Sequence, residues 1–268
     1  MRKRKNTWLW QLTGENLPGH SYLFGTIHSK DFRAFTFLEN ALSYLQECDA
    51  VATEFNLDEM ESKSSSESLN MPSNFSLAEE LGPRYSALLE KLFLRYIGFS
   101  SRSFHNMHPF VITSLLTEAV MNSDIPMSLD KTIWEAAKEN NKSLDGLETY
   151  QMQMNLITKM DLSLQLRMIK QMLRNFKGFR KSQEKLINLY QKADLGTINK
   201  VTRKQSGGLR KKLLFNRNEF MADRIFELSQ NKKFFFAVGG AHLPGKMGLI
   251  RLLKKRDIKV SPVPLQAL

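Results

Sequence analysis

Lys233-Phe-Phe-Phe-Ala-Val-Gly-Gly-Ala-His-Leu-Pro-Gly245 is the stretch on which the fold turns. Lys233 to Gly239 is aromatic and aliphatic, bounded by glycine, and short enough for a buried strand. Gly239 and Gly240 open a tight turn, because glycine lets the backbone bend sharply or lets a ligand approach it closely. Leu249, Ile250, Leu252 and Leu253 follow at helical spacing, and Ile258-Lys-Val260 makes a last strand. The order is strand, helix, strand, a β-α-β unit.

The same order occurs at the start of the chain. His20-Ser-Tyr-Leu-Phe-Gly-Thr-Ile-His28 carries an apolar strand that ends in a glycine turn at Gly25. Residues 35–47 hold Phe37, Leu38, Ala41, Leu42 and Leu45 at helical spacing, and Cys48-Asp-Ala-Val-Ala-Thr-Glu-Phe55 reads as a second buried strand. This first β-α-β unit predicts a parallel pair joined by a right-handed crossover. The two units therefore carry matching turns, Gly25-Thr-Ile-His28 and Gly239-Gly-Ala-His242, as a diverged duplication would.

Between them the pattern is mostly helical. Residues 58–74 are polar and serine-rich and read as an exposed loop. Helices are expected over 76–97, with a break at Gly82-Pro83, and after Pro109, which suits a first helical turn. Pro126-Met-Ser-Leu-Asp130 reads as a short strand or a turn, with Asp130 as a helix cap. Asn141 to Glu148 reads as a strand, and Thr149 to about Tyr190 as helix with a methionine stripe that suits adaptable core. Residues 194–210, with Gly196, Gly207 and Gly208, read as a turn-containing connection ahead of a helix over 213–228. The expected architecture is one α/β domain over 1–268. Its mixed central sheet comes from two β-α-β units, with helical insertions near 75–125 and 150–230.

Bulk properties bound the reading. The chain has 268 residues, enough for a sizeable core. One cysteine, Cys48, excludes an internal disulfide. No run of about 18 apolar residues marks a membrane span. Met1-Arg-Lys-Arg-Lys5 is charged like the start of a signal peptide but no apolar segment follows, so the chain as written reads as cytoplasmic. An exported protein whose leader has been removed fits the same residues. The net charge is +12, from 39 Lys+Arg against 27 Asp+Glu. Between Arg167 and Lys212 basic residues recur, with Glu184 and Asp194 the only acids. This surface is either a solvated helix face or a patch for an anionic partner. No nucleic-acid-binding motif accompanies it, which argues against nucleic acid.

The chemistry centres on the strand ends, where open α/β sheets place ligands. His28 and His242 both sit just past a strand. Glu54 ends an apolar strand, and a carboxylate buried there must be paired, hydrogen-bonded or metal-bound. A salt bridge to an arginine satisfies that requirement as well as a metal does. Glu148 and Asp130 also end short apolar pieces and have a plain alternative as helix caps. Arg217 lies in an amphipathic helix, as an exposed charge or as a group that holds a carboxylate or a developing oxyanion. Two histidines plus carboxylates suit a divalent metal, and the oxygen-rich set favours Mn or Co, with Zn possible. No Gly-x-Ser-x-Gly elbow, His-Glu-x-x-His helix or P-loop occurs.

These residues resemble the TraB/GumN family, which includes the TIKI proteins. The resemblance is carried by Tyr22-Leu-Phe-Gly-Thr-Ile-His28, Glu54, Leu129-Asp130, Gly146-Leu-Glu-Thr149, Arg217-Asn218 and Ala237-Val-Gly-Gly-Ala-His-Leu-Pro-Gly245. It implies a fold like that of the erythromycin-esterase and ChaN-like proteins. It further implies an active centre of His28, Glu54 and His242, with Asp130, Glu148, Arg217 and Asn218 at further family positions. Metal-dependent cleavage of a peptide or protein substrate is the implied activity. Bacterial members are linked to shutting down peptide pheromones.

The expectation is thus a metal-dependent hydrolase, a peptidase, with catalytic His28, Glu54, His242, Glu148 and Arg217. Its metal ligands would come from His28, Glu54, His242 and Asp130, and its turn glycines are Gly25, Gly239 and Gly240. Two rivals stand beside it: a non-catalytic protein that binds and sequesters a peptide, and a metal-independent esterase with a histidine base.

Overall fold

The computed structural model describes residues 7–63, 69–206 and 214–265. The first half of the chain forms β1 (Leu9–Thr13), β2 (Ser21–Thr26), α1 (Leu38–Gln46), β3 (Ala50–Phe55), α2 (Leu57–Lys63), α3 (Leu77–Leu81), α4 (Pro83–Tyr96) and α5 (Pro109–Ala119). The second half forms α6 (Leu129–Glu139), β4 (Ser143–Glu148), α7 (Tyr150–Thr158), α8 (Leu162–Arg174), α9 (Phe176–Gln191), α10 (Leu195–Ser206), α11 (Asn216–Ser229), β5 (Phe234–Gly239), α12 (Leu249–Lys254) and β6 (Lys259–Val263).

The fold is mixed α/β, with six strands in the order β4-β3-β5-β2-β1-β6. β5 pairs in parallel with both β2 and β3, and β3 in parallel with β4. β1 runs antiparallel to β2 and to β6. Hence β2, β3, β4, β5 and β6 share one direction and β1 alone opposes them. All six residues of β2 are buried, as expected of a strand inside a covered parallel sheet.

The two β-α-β units are interleaved, which corrects the expected adjacency. β5 inserts between β2 and β3, so the strand ending at Gly25-Thr26 and the strand carrying Glu54 are not neighbours. β6 likewise lies beyond β2 and β1 instead of beside β5. Strand β1 was not anticipated. Trp8-Leu9-Trp10-Gln11-Leu12 has the aromatic and apolar content of a strand, but the run is short, contains the polar Gln11 and follows a charged start. Residues 195–206 are helical, not a turn. Gly207, Gly208, Arg210, Lys211 and Lys212, like most of the serine-rich run, lie outside the described residues.

The chain divides into two compact units. The sheet unit draws on Met1–Glu61, Ser123–Tyr150 and Leu186–Leu268. Its core joins Leu23, Phe24, Val51, Phe235, Phe236 and Val238 from the strands to Leu45, Ile133, Ile225 and Leu252 from the helices. The helical unit comprises Ser62–Asn122 and Gln151–Lys185, around Leu89, Phe93, Ile112, Leu116 and Ile169. Gly82, at φ 78°, stops α3, and Pro83 starts α4, so the expected break is real. In this unit Arg167, Arg174, Lys177, Lys181 and Lys185 are exposed. Lys170 donates to the Glu80 carbonyl at 2.7 Å, and Arg180 lies over the Tyr96 ring. No described helix is long and apolar enough to cross a membrane.

Candidate active site

Four parallel strands end at one edge of the sheet. Thr26 closes β2 and pairs with Gly239, which closes β5. Phe55 at the end of β3 pairs with Glu148 at the end of β4. The edge therefore collects Glu54, Glu148, and the two turns that follow β2 and β5.

Arg217 joins the two carboxylates. It enters from the first turn of α11, where the helix dipole disfavours a cation. Its Nε donates to both oxygens of Glu148, at 2.9 and 3.1 Å. Its Nη2 donates to Glu148 Oε2 at 2.6 Å and to Glu54 Oε2 at 2.5 Å. The Glu148 side chain is 1% exposed and that of Arg217 14%, so this is an ion triad out of bulk water. The reading of Glu54 as an arginine's partner and that of Arg217 as a carboxylate holder both describe this contact.

Glu54 Oε1 accepts the Gly239 backbone N–H at 2.7 Å. Burial alone would raise the Glu54 pKa, but His242, Arg217 and the Gly239 N–H outweigh it and hold the carboxyl at about 2. His242 closes the short helical turn Gly240–His242 and is 4% exposed. Burial pushes its ring down to about 4, so it is neutral near pH 7, and Arg217 and Gly239 are then what keep Glu54 ionised. His242 Nε2 faces Glu54 Oε1 at 3.5 Å. Its Nδ1 lies 2.5 Å from Asn218 Oδ1.

His28 lies beyond the end of β2, with its side chain 70% exposed. Its Nδ1 is 3.2 Å from Asp130 Oδ2. The other Asp130 oxygen accepts the Thr26 hydroxyl. Asp130 sits inside the first turn of α6 and Ser128 holds the cap position, so Asp130 is not the cap. It turns toward the strand end because Leu129 N–H is tied to the Ser29 carbonyl at 3.1 Å.

Both glycine turns rest on Trp8. A β-carbon on Gly25 would meet the Trp8 ring at 2.7 Å, and one on Gly240 would meet it at 2.6 Å. Trp8 is fully buried and stacks on Tyr190 with ring centroids 4.6 Å apart. Its Nε1 donates to the Tyr190 carbonyl at 2.8 Å, and the Tyr190 hydroxyl donates to the Gly25 carbonyl at 2.7 Å. Trp8 and Tyr190 form the floor that links the two turns. Neither was expected here: Trp8 borders the unanticipated strand β1, and Tyr190 lies at the end of a stretch read only as helix.

The remaining histidines stand elsewhere. His20 lies 3.0 Å from Gln11, and His108 is buried beside Gln165 in the helical unit. His105 contacts the Arg102 carbonyl. Burial pushes the Cys48 thiol up to about 12, which keeps it protonated and unreactive.

The model of the TraB/PrgY/gumN family matches residues 8–262, from Trp8 into β6. The chain belongs to the TraB/PrgY/gumN family. The match covers both Gly-x-x-His turns and every strand of the sheet. Among curated proteins, this TraB/PrgY/gumN chain is 24% identical over 318 residues to Metalloprotease TIKI1 of Danio rerio, covering 97% of the chain and 63% of that relative. It is also 24% identical over 330 residues to Metalloprotease TIKI2 of the same organism, covering 99% of the chain and 62% of the relative. The chain thus spans about three fifths of the length of the curated relatives it matches. No solved structure matches it.

Proposed function

We propose that this chain is a metal-dependent hydrolase that cleaves a peptide bond in a peptide or protein substrate. The observation that carries the reading is the Glu54–His242 pair. Two groups able to donate lone pairs face each other at 3.5 Å at the carboxyl edge of the sheet. Two ligands each about 2.0–2.2 Å from one divalent cation stand roughly 3–4 Å apart, so the pair fits such an ion. Among the described residues no cluster of three His, Cys, Asp or Glu side chains has ligand spacing. Glu54 and His242 would therefore hold the cation by two protein contacts, leaving positions open for water and substrate. The metalloprotease names of the two relatives support the same class.

A bound divalent cation supplies polarisation of the scissile carbonyl and a lowered pKa for a bound water. The chain's own residues do the rest. Arg217 and the Gly239 N–H keep Glu54 ionised and aimed. Glu148 grips Arg217 through three hydrogen bonds and acts by holding it in place. His28 is the proton carrier: its exposed ring takes a proton from the attacking water and returns it to the leaving amine. Asp130, at Nδ1, orients that ring and stabilises it when protonated.

The test is cleavage of a mixed peptide library, read by mass spectrometry, with and without a chelator. Cleavage lost on chelation, restored by Mn or Co, and absent in Glu54→Gln and His242→Ala is the expected result. A wild type that neither binds a divalent ion nor cleaves any peptide would overturn it. The His28–Asp130 pair favours a second reading, ester hydrolysis by a histidine base. Turnover of esters that survives chelation and His242→Ala but not His28→Ala would select that reading.

A further inference from the structure

Asn218 follows Arg217 on α11 and is 2% exposed. Its amide nitrogen donates to the His242 carbonyl at 3.3 Å and to the Met247 carbonyl at 2.6 Å. Carbonyl oxygens only accept, so the edge of the amide that faces them must be the NH2 group. The other edge, Oδ1, is thereby left 2.5 Å from His242 Nδ1. An amide oxygen also only accepts, so the proton between them belongs to Nδ1.

From this we infer that Asn218 is a positioning residue that fixes His242 in the Nδ1–H tautomer and turns the Nε2 lone pair toward Glu54. The inference rests on reading Glu54 and His242 as the working pair, but it makes a claim about the ring that stands by itself. A neutral imidazole carries one ring proton, and the partner of one nitrogen decides the state of the other. With the proton on Nδ1, Nε2 meets Glu54 Oε1 as acceptor against acceptor. Their 3.5 Å separation is longer than the roughly 2.7–2.9 Å of a charge-assisted hydrogen bond. Glu54 Oε1 already accepts from Gly239, so it does not lack a donor. The gap is a seat for an electron-poor group: a cation, or the proton of a water. Without Asn218, the natural place for the ring proton is Nε2, donating to Glu54 and closing that seat.

Long-range proton–nitrogen NMR correlation on the 15N-labelled, chelator-treated full chain reads the tautomer directly. With only five histidines in the chain, the signals of His242 are assigned by their loss in His242→Gln. The expected wild-type pattern is Nδ1–H with Nε2 unprotonated. Asn218→Ala should switch it to Nε2–H, whereas Asn218→Asp, whose carboxyl keeps one oxygen at Nδ1 and, protonated on the other, still donates to the Met247 carbonyl, should retain it. If Asn218→Ala does not fold, the wild type and Asn218→Asp still decide the matter. A wild-type ring protonated on Nε2, or an Asp variant that switches, would overturn the inference. On the activity side Asn218→Ala should lower kcat by about 10–100-fold with Asn218→Asp restoring most of it. If wild type cleaves no peptide while its NMR pattern is as expected, the functional reading fails and the tautomer assignment stands.

Discussion

Gly239 donates its backbone N–H to Glu54 Oε1 at 2.7 Å, and a β-carbon built on Gly239 would lie 2.9 Å from that same oxygen. The glycine is there because a strand end must come close to a carboxylate that is also gripped by an arginine. Any side chain at 239 must push Glu54 off the N–H or off Arg217. Gly239→Ala should therefore fold, lose about 1–3 kcal/mol of stability and lose most of any cleavage activity. Urea melts and kcat/KM together check this; an Ala variant with wild-type turnover would sever the link between this contact and function.

Arg217 neutralises two carboxylates, one of them almost fully buried. Arg217→Ala strands both charges and should cost about 3–5 kcal/mol. Adding Glu148→Gln should recover part of that loss, because it removes the more buried of the two stranded charges. A double-mutant cycle by chemical denaturation measures the coupling, and purely additive losses would contradict the triad.

Trp8 serves as floor to both glycine turns. Trp8→Ala should destabilise the sheet unit by about 3–5 kcal/mol, as for other large-to-small core changes. Gly25→Ala should be as poorly tolerated, since its new methyl meets the Trp8 ring. Thermal melts of the two variants against wild type test the arrangement.

Acid should weaken the fold in two steps. His242 is held at about 4 in the folded chain against an ordinary 6.5, so between those values the unfolded chain binds the extra proton. Stability is complete above the upper value and falls as pH falls through the window. Glu54, held at about 2 against 4.5, adds a loss of the same sign further down. In chelator-treated protein, urea midpoints should fall from about pH 7 to about pH 5, and more shallowly in His242→Gln. Equal slopes in the two proteins would show that His242 is not the group responsible.

His28 is largely exposed and its loss should leave stability within about 0.5 kcal/mol. Under the proposed chemistry His28→Ala and Asp130→Asn should both lower kcat, His28→Ala the more strongly. Steady-state kinetics beside a thermal melt separates the two effects. Unchanged kcat in His28→Ala would remove this residue from the proton-transfer role.

Much of the layout was legible in the residues themselves. Phe234 to Val238 and Tyr22 to Phe24 announce buried strands because continuous apolar runs bounded by glycine have few other uses. The two Gly-x-x-His turns stand out for the same local reason, and so does Glu54, a charge at the end of an apolar strand. Trp8 was harder, because a short strand with the polar Gln11 inside it, next to a cluster of basic residues, carries a weak pattern.

What the sequence alone determined was local: that the segments of β2 to β6 are strands, and which polar groups stand at the ends of β2 to β5. The tertiary structure decided the partners. It inserted β5 between β2 and β3, which brought Gly239 to Glu54 and left His28 with Asp130. It carried Arg217 from a helix more than 60 residues beyond Glu148 to lie between two glutamates. It seated both turns on Trp8 and Tyr190. Strand order and long-range ion pairing depend on the whole core closing at once. A local period records neither, since burial of Glu148 and Arg217 becomes favourable only when each meets the other.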